Sequence, residues 1–116
     1  MSDFDASQYR ILCVDDEPNI LSALRRMLGM QGYQVSVAES GEKALESLAR
    51  ETYDVIICDM RMPQMNGVEV LEQALQISPQ TMRVLLTGAA DQHDTIEAIN
   101  RGQIYRYLGK PWNDGE

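Results

Sequence analysis

Ile11-Leu12-Cys13-Val14-Asp15-Asp16-Glu17-Pro18 is a continuous apolar run that breaks off at three acids and a proline. An uninterrupted apolar run of this length reads as a strand buried on both faces, as in a parallel sheet. Pro18 fits the first turn of a helix, where its missing N–H costs nothing. Ile20, Leu21, Leu24, Met27 and Leu28 then recur at helical spacing, and Gly32 stands where that helix should stop. This stretch therefore reads as strand, acidic loop, helix.

The pattern repeats down the chain. Val35–Ala38 reads as a second strand, and Ser40 caps a helix whose apolar stripe is Ala44, Leu45 and Leu48. Val55-Ile56-Ile57-Cys58 is a third strand, again ended by an acid, Asp59. The loop from Met60 to Gly67 carries turn signals at Pro63 and Asn66-Gly67. A third helix follows, with Val68, Val70, Leu71, Ala74 and Leu75 inward. Val84-Leu85-Leu86 is a fourth strand ended by Thr87-Gly88. Asp91 through Asn100 reads as a fourth helix, with Ile96 and Ile99 inward, and Ile104 through Leu108 as a fifth strand before Gly109-Lys110-Pro111. Strict alternation of this kind predicts an α/β fold. The expected architecture is a five-stranded, doubly wound parallel sheet with helices on both faces.

Composition bounds the function. The 116 residues suit one domain, divided here into a tail over 1–8 and a folded unit over 9–116. The 44% hydrophobic content supplies a core. A formal net charge of −8, with no basic cluster beyond Arg25-Arg26, argues against direct nucleic-acid binding. Cys13 and Cys58 lie inside apolar runs and read as buried reduced thiols. No stretch reaches the roughly 20 apolar residues that span a bilayer. The acidic start, Met1-Ser2-Asp3-Phe4-Asp5, is unlike a signal peptide, so the expected location is cytoplasmic.

The carboxyl ends of parallel strands share one rim. That topology gathers Asp15 and Asp16 from the first strand, Asp59 from the third, Thr87 from the fourth and Lys110 beyond the fifth. Each is weak alone, since an Asp pair after a strand is commonly just a turn or cap. Together they suggest chemistry. Gathered carboxylates repel unless a cation intervenes, and a small set of oxygen donors suits Mg²⁺. A carboxylate can also act as nucleophile toward phosphorus, with Lys110 and the Thr87 hydroxyl left to meet phosphoryl oxygens. The chemistry alone does not choose which Asp is attacked.

These segments, with Met60-Arg61-Met62-Pro63 and Tyr107-Leu108-Gly109-Lys110-Pro111-Trp112, stand in the order found in receiver domains of bacterial two-component response regulators, which this chain resembles over nearly its whole length. The resemblance implies a strand order of 2-1-3-4-5 and phosphorylation of Asp59 by a sensor histidine kinase or phosphotransfer protein. It implies Mg²⁺ on Asp15, Asp16, Asp59 and the backbone carbonyl of Arg61, with Thr87 and Tyr107 as switch residues and Lys110 on the phosphoryl group. Lys110-Pro111 is expected to be a cis peptide, and Arg61 and Ala89 to tune phosphoryl lifetime. His93 reads as a surface residue, and Met60, Met62 and Met65 as loop packing. Such a domain is a switch rather than an enzyme in the usual sense, assisting its own phosphorylation and dephosphorylation and governing a C-terminal output domain. The aromatic run Ile104–Trp112 is similar to receivers joined to cyclic-dinucleotide phosphodiesterase or transcription-regulator outputs.

Trp112 to Glu116 reads as the start of a fifth helix, capped by Asn113 or Asp114, so most of that helix is expected to be missing. Uncovered apolar surface then predicts a homodimer, with element exchange as one route to it. Three other readings compete with this one. A flavodoxin-like flavin or nucleotide binder would need a Gly/Ser/Thr-rich loop where Asp15-Asp16-Glu17 stands. A dehalogenase-type phosphohydrolase would need an acid where Arg61 stands. A receiver-like interaction module that is never phosphorylated is the alternative to a working switch.

Overall fold

The structure, a computed structural model, describes residues 5–88 and the strand at 106–110. Five strands form one parallel sheet: β1 (Arg10–Val14), β2 (Gln34–Ala38), β3 (Val55–Asp59), β4 (Met82–Gly88) and β5 (Arg106–Lys110). Their order is β2-β1-β3-β4-β5, as the family resemblance implies. Three helices are described: α1 (Pro18–Met30), α2 (Gly41–Arg50) and α3 (Gly67–Ile77). The segment expected to form a fourth helix, 91–100, lies outside the described residues, as do Ala89, His93, Pro111 and residues 112–116.

Two apolar clusters show how the sheet is covered. Leu12, Val14, Ile56, Cys58 and Leu85 pack with α2 and α3 residues such as Ala44, Leu48, Val70, Leu71 and Ala74. Ile11, Cys13, Ile57, Val84 and Leu86 pack with Leu21 and Leu24 of α1. Successive strand residues thus alternate between two covered faces, so the runs read as continuously apolar. Leu12, Ile56, Leu71 and Leu85 have no exposed surface. Complete burial of such side chains contributes about 1.5–3 kcal/mol each. Met60 is buried in the α2/α3 cluster and Met62 and Met65 pack against it, as expected of loop packing.

The element ends follow local chemistry. Helix α1 closes in a Schellman arrangement: the Gly32 N–H donates to the Gly29 carbonyl and the Tyr33 N–H to that of Leu28. Gly32 has φ +97°, a conformation that only glycine adopts without strain. The Ser40 hydroxyl accepts from the Lys43 N–H (3.2 Å) and caps α2. Asn66 does more than turn the chain. Its side chain accepts from the Glu69 N–H, and the Glu69 carboxylate accepts from the Asn66 N–H, both at 2.9 Å. This capping box sets the start of α3.

Strands β4 and β5 run past their expected ends. Thr87 pairs with Gly109 and Gly88 with Lys110, so backbone hydrogen bonding carries both strands beyond the apolar runs that announce them. Ala6–Gln8, within the expected tail, forms a 3-10 turn, with Asp5 accepting from the Ser7 N–H (3.0 Å). The Gln34 side chain of β2 bonds the Ser7 carbonyl and fixes that turn to the sheet.

Candidate functional site: an acidic rim at the carboxyl edge of the sheet

The strand register decides which residues meet. Val14 pairs with Cys58, so the next residues, Asp15 and Asp59, follow side by side on neighbouring strands. The Asp15 N–H still continues the ladder to the Ala38 carbonyl (3.2 Å), which holds its backbone in the sheet. Asp59 pairs with Leu86, Leu86 with Leu108, and Gly88 with Lys110. The backbones of Thr87 and Lys110 therefore lie one and two steps beyond the level of Asp59 along the same rim. Tyr107 pairs with Leu85, deeper in the sheet.

Asp15 is fully buried and Asp59 is 5% exposed. The Asp15 carboxylate accepts from the Glu17 N–H (2.9 Å), which folds the acidic loop back on itself. Burial pushes the Cys58 thiol well up from 9.0, and the negative charges of Asp59 and Asp15 push it further the same way. One sulfur thus senses both carboxylates. The Cys58 thiol also points at the Asp59 carbonyl (3.5 Å).

Asp15, Asp16 and Glu17 form a tight group, each with a carboxylate oxygen within 4.8 Å of the others. Asp16 and Glu17 are exposed. Among the described residues, Asp59 is not a member of this group. Glu17 is a member of this group that the expected set of Asp15, Asp16 and Asp59 does not include. The sequence signal for Glu17 is its place before a helix, where glutamate is an uncommon choice, and it caps nothing here. The N-terminus of α1 begins at Pro18, where the helix dipole partly offsets the crowding of negative charge.

The donor set fits Mg²⁺. All its atoms are hard carboxylate oxygens, one donor is buried and two face water, and Mg²⁺ keeps several waters when bound. Arg61 lies two residues past Asp59 in the loop to α3, with its side chain exposed. That loop is tied down at both ends. The Met60 N–H donates to the Leu86 carbonyl and the Gly67 N–H to the Met60 carbonyl, both at 2.9 Å.

Residues 11–116 match the family described as "Response regulator receiver domain". The hydrogenase transcriptional regulatory protein HoxA of Cupriavidus necator is 38% identical over 112 residues, 97% of this chain and 22% of that protein. The transcriptional regulatory protein CpxR of Escherichia coli K12 is 37% identical over 107 residues, 92% of this chain and 45% of CpxR. This chain therefore spans less than half the length of these relatives. The crystal structure of the signal receiver domain of an HD domain-containing protein from Pseudomonas fluorescens Pf-5 superimposes with a TM-score of 0.84 at 40% identity, over 92% of this chain and 79% of that one. Sheet order, acidic rim and sequence match agree, and the chain belongs to the response regulator receiver domain family, the phosphoacceptor modules of two-component signalling.

Proposed function

We propose that Asp59 is the phosphoryl acceptor and that its phosphorylation is the input to a switch. The observation that carries this reading is the placement of a nearly buried carboxylate at the carboxyl end of the central strand β3, beside Asp15 and on the rim reached by the backbones of Thr87 and Lys110. The donor is a phosphohistidine on a sensor histidine kinase or phosphotransfer protein. An Asp59 oxygen attacks phosphorus in line, an acyl phosphate forms, the P–N bond breaks, and the imidazole nitrogen leaves with the electron pair.

Asp15, Asp16, Asp59 and the Arg61 carbonyl would hold Mg²⁺, which when bound neutralises the charge that phosphoryl oxygens bring to an acidic rim. The chain's own part is positional. Sheet burial fixes Asp59, Lys110 meets the phosphoryl charge, and the Thr87 hydroxyl donates a hydrogen bond to a phosphoryl oxygen. Tyr107 moves with Thr87 and alters the β5 edge. The outcome is a population shift between two states of one fold, read by an output domain in a longer chain. The receiver is no turnover enzyme, although it assists both gain and loss of its phosphoryl group. Its setting in this reading is the cytoplasm, and no helix among the described residues is long and apolar enough to cross a membrane.

Intact-mass spectrometry after incubation with acetyl phosphate and Mg²⁺ tests the proposal. The expected result is a gain of one phosphoryl group that requires Mg²⁺ and is lost in Asp59→Ala. No gain in folded wild-type protein would favour an interaction module that is never phosphorylated.

A further inference from the structure

We propose that the outer edge of β2 is a self-association surface, where a second copy of this chain adds its own β2 antiparallel and extends one sheet across two molecules. The proposal does not rest on the phosphorylation reading.

Strand β2 ends the sheet and, among the described residues, pairs with β1 alone. Its hydrogen-bonding parity shows what it offers on the other side. The Gln34 N–H donates to the Tyr9 carbonyl (3.1 Å), and the Ala38 carbonyl accepts from the Asp15 N–H (3.2 Å). Alternate residues of a parallel strand turn N–H and C=O to the same neighbour, so Gln34, Ser36 and Ala38 serve β1. Val35 and Val37 turn theirs outward. Such an edge is a template for another strand, and natural edges are commonly blunted by lysine, proline or a bulge. Gln34–Ala38 holds no charge and no proline, and it pairs with β1 in unbroken register.

The strand is complementary to itself. A two-fold axis at Ser36 sets Val35 opposite Val37 of the second copy, and Val37 opposite the second copy's Val35. These are the residues whose backbone groups face outward, so each pair can exchange both of its hydrogen bonds. Ser36 meets Ser36 of the second copy in the alternate position, where two hydroxyls come within bonding reach. A register shifted by one residue would oppose Val35 to Ser36, whose backbone groups are already engaged by β1. Of the registers that keep the parity, the one centred on Ser36 opposes both valines to valines.

The side chains fit as well. A cleft of about 140 Å³ borders the edge on the α1 side, lined by Pro18, Leu21, Ser22, Arg25, Val37 and Glu39. A second, of about 320 Å³, borders it on the α2 side, where Lys43, Glu46, Ser47 and Arg50 face Ala38. Val35 and Val37 pack toward α1, whereas Ala38 packs toward α2, and Ser36 and Gln34 share its side by alternation. A two-fold axis normal to the sheet keeps these faces together. The second copy's Val35 therefore falls beside Val37 and the cleft walled by Pro18 and Leu21. Its Gln34 falls beside Ala38 and the charged cleft. Apolar meets apolar on one face and polar meets polar on the other.

The test combines sedimentation equilibrium with disulfide trapping on the whole chain. The wild type is expected to shift from monomer toward dimer as concentration rises to about 1 mM. Ser36→Lys sets two ammonium groups face to face across the axis and should weaken association about tenfold or more. In dilute solution it should unfold at the wild-type temperature, because a lysine on a free edge disturbs no pairing. Ser36→Cys should form a covalent dimer in mild oxidant, since residues across that axis lie about 4.5 Å apart between Cα atoms, within disulfide range. Gln34→Cys should not, because its two copies stand about 14 Å apart. Cys13 and Cys58 are buried and stay out of the reaction. A wild type that remains monomeric would overturn the proposal and leave the edge to a strand from another protein. So would a dimer that Ser36→Lys leaves unchanged, or Ser36→Cys cross-linking no faster than Gln34→Cys; either result would place the contact on another face.

Discussion

A Cβ placed on Gly67 would lie 2.2 Å from the backbone carbonyl oxygen of Asp59. The same atom would meet the Asp59 carbonyl carbon at 2.9 Å and a Leu85 methyl at 2.8 Å. The first residue of α3 is thus pressed against the backbone of the proposed acceptor. No side chain fits there unless β3 or α3 moves. The position of Asp59 depends on the absence of one methyl group eight residues later.

Gly67→Ala should therefore damage stability and chemistry together. Overpacking of this kind costs about 1–3 kcal/mol. A shift of Asp59 should also slow phosphorylation by acetyl phosphate. Urea unfolding and intact-mass time courses measure the two effects, and a variant as stable and as fast as wild type would refute the close-approach argument.

Asn66→Ala tests the neighbouring residue by a different mechanism. It removes the side-chain half of the capping box that Asn66 and Glu69 share. The expected cost is about 1 kcal/mol, seen as a lower urea midpoint with an unchanged slope. The Mg²⁺ affinity of the folded protein should stay at the wild-type value, because the cap lies outside the acidic group. A large affinity loss would mean that the cap supports the site directly.

Magnesium should stabilise the fold and EDTA should remove that effect. At a free concentration of one hundred times Kd, a ligand that binds only the folded state adds about 2.7 kcal/mol. Asp16→Asn should lose most of this gain, since it takes one carboxylate from the group of three. Equal Mg²⁺-dependent shifts in wild type and Asp16→Asn, followed by circular dichroism, would contradict the metal assignment.

The thiols give a pH-dependent prediction. Burial pushes the Cys13 thiol from 9.0 up to about 12, with Arg25 acting weakly in the opposite direction, and Cys58 is also raised. Above pH 9 the unfolded thiols release protons that the folded ones retain, so the unfolded state binds fewer protons. Stability contributed by the neutral thiols is then full below about pH 9 and falls as pH rises toward 12. Cys13→Ala should flatten that decline, although its cavity lowers stability at every pH. At pH 8 neither thiol of the native protein should react with a disulfide reagent, and both should react in guanidinium. Rapid labelling of the native state would contradict their burial.

Much of the protein is legible in its sequence because two codes there are local. Continuous apolar runs such as Ile11–Val14 and Val55–Cys58 mark strands covered on both faces, and helical spacing from Ile20 to Leu28 marks the helix that covers one face of the sheet. In a parallel sheet, acids at strand ends must share an edge, so Asp15 and Asp59 could be placed together before any coordinates. The ends of β4 and β5 were not legible, because Gly88 and Lys110 join the sheet through backbone pairing that side-chain type does not encode. Asn66-Gly67 looked like an ordinary turn because its capping partner, Glu69, matters only once the chain turns into α3.

The sequence by itself determined the alternation of strands and helices and the carboxylates at the rim, through residue type and spacing, and its motifs carried the resemblance that implied the strand order and the family. The tertiary structure alone decided that Asp15 is buried while Asp16 and Glu17 face water, that Glu17 closes the acidic group, and that Gly67 lies against Asp59. These are exposures, and distances such as that between Gly67 and Asp59, that only the folded chain has. They are set by strand register and layer packing, which no local pattern of residues contains.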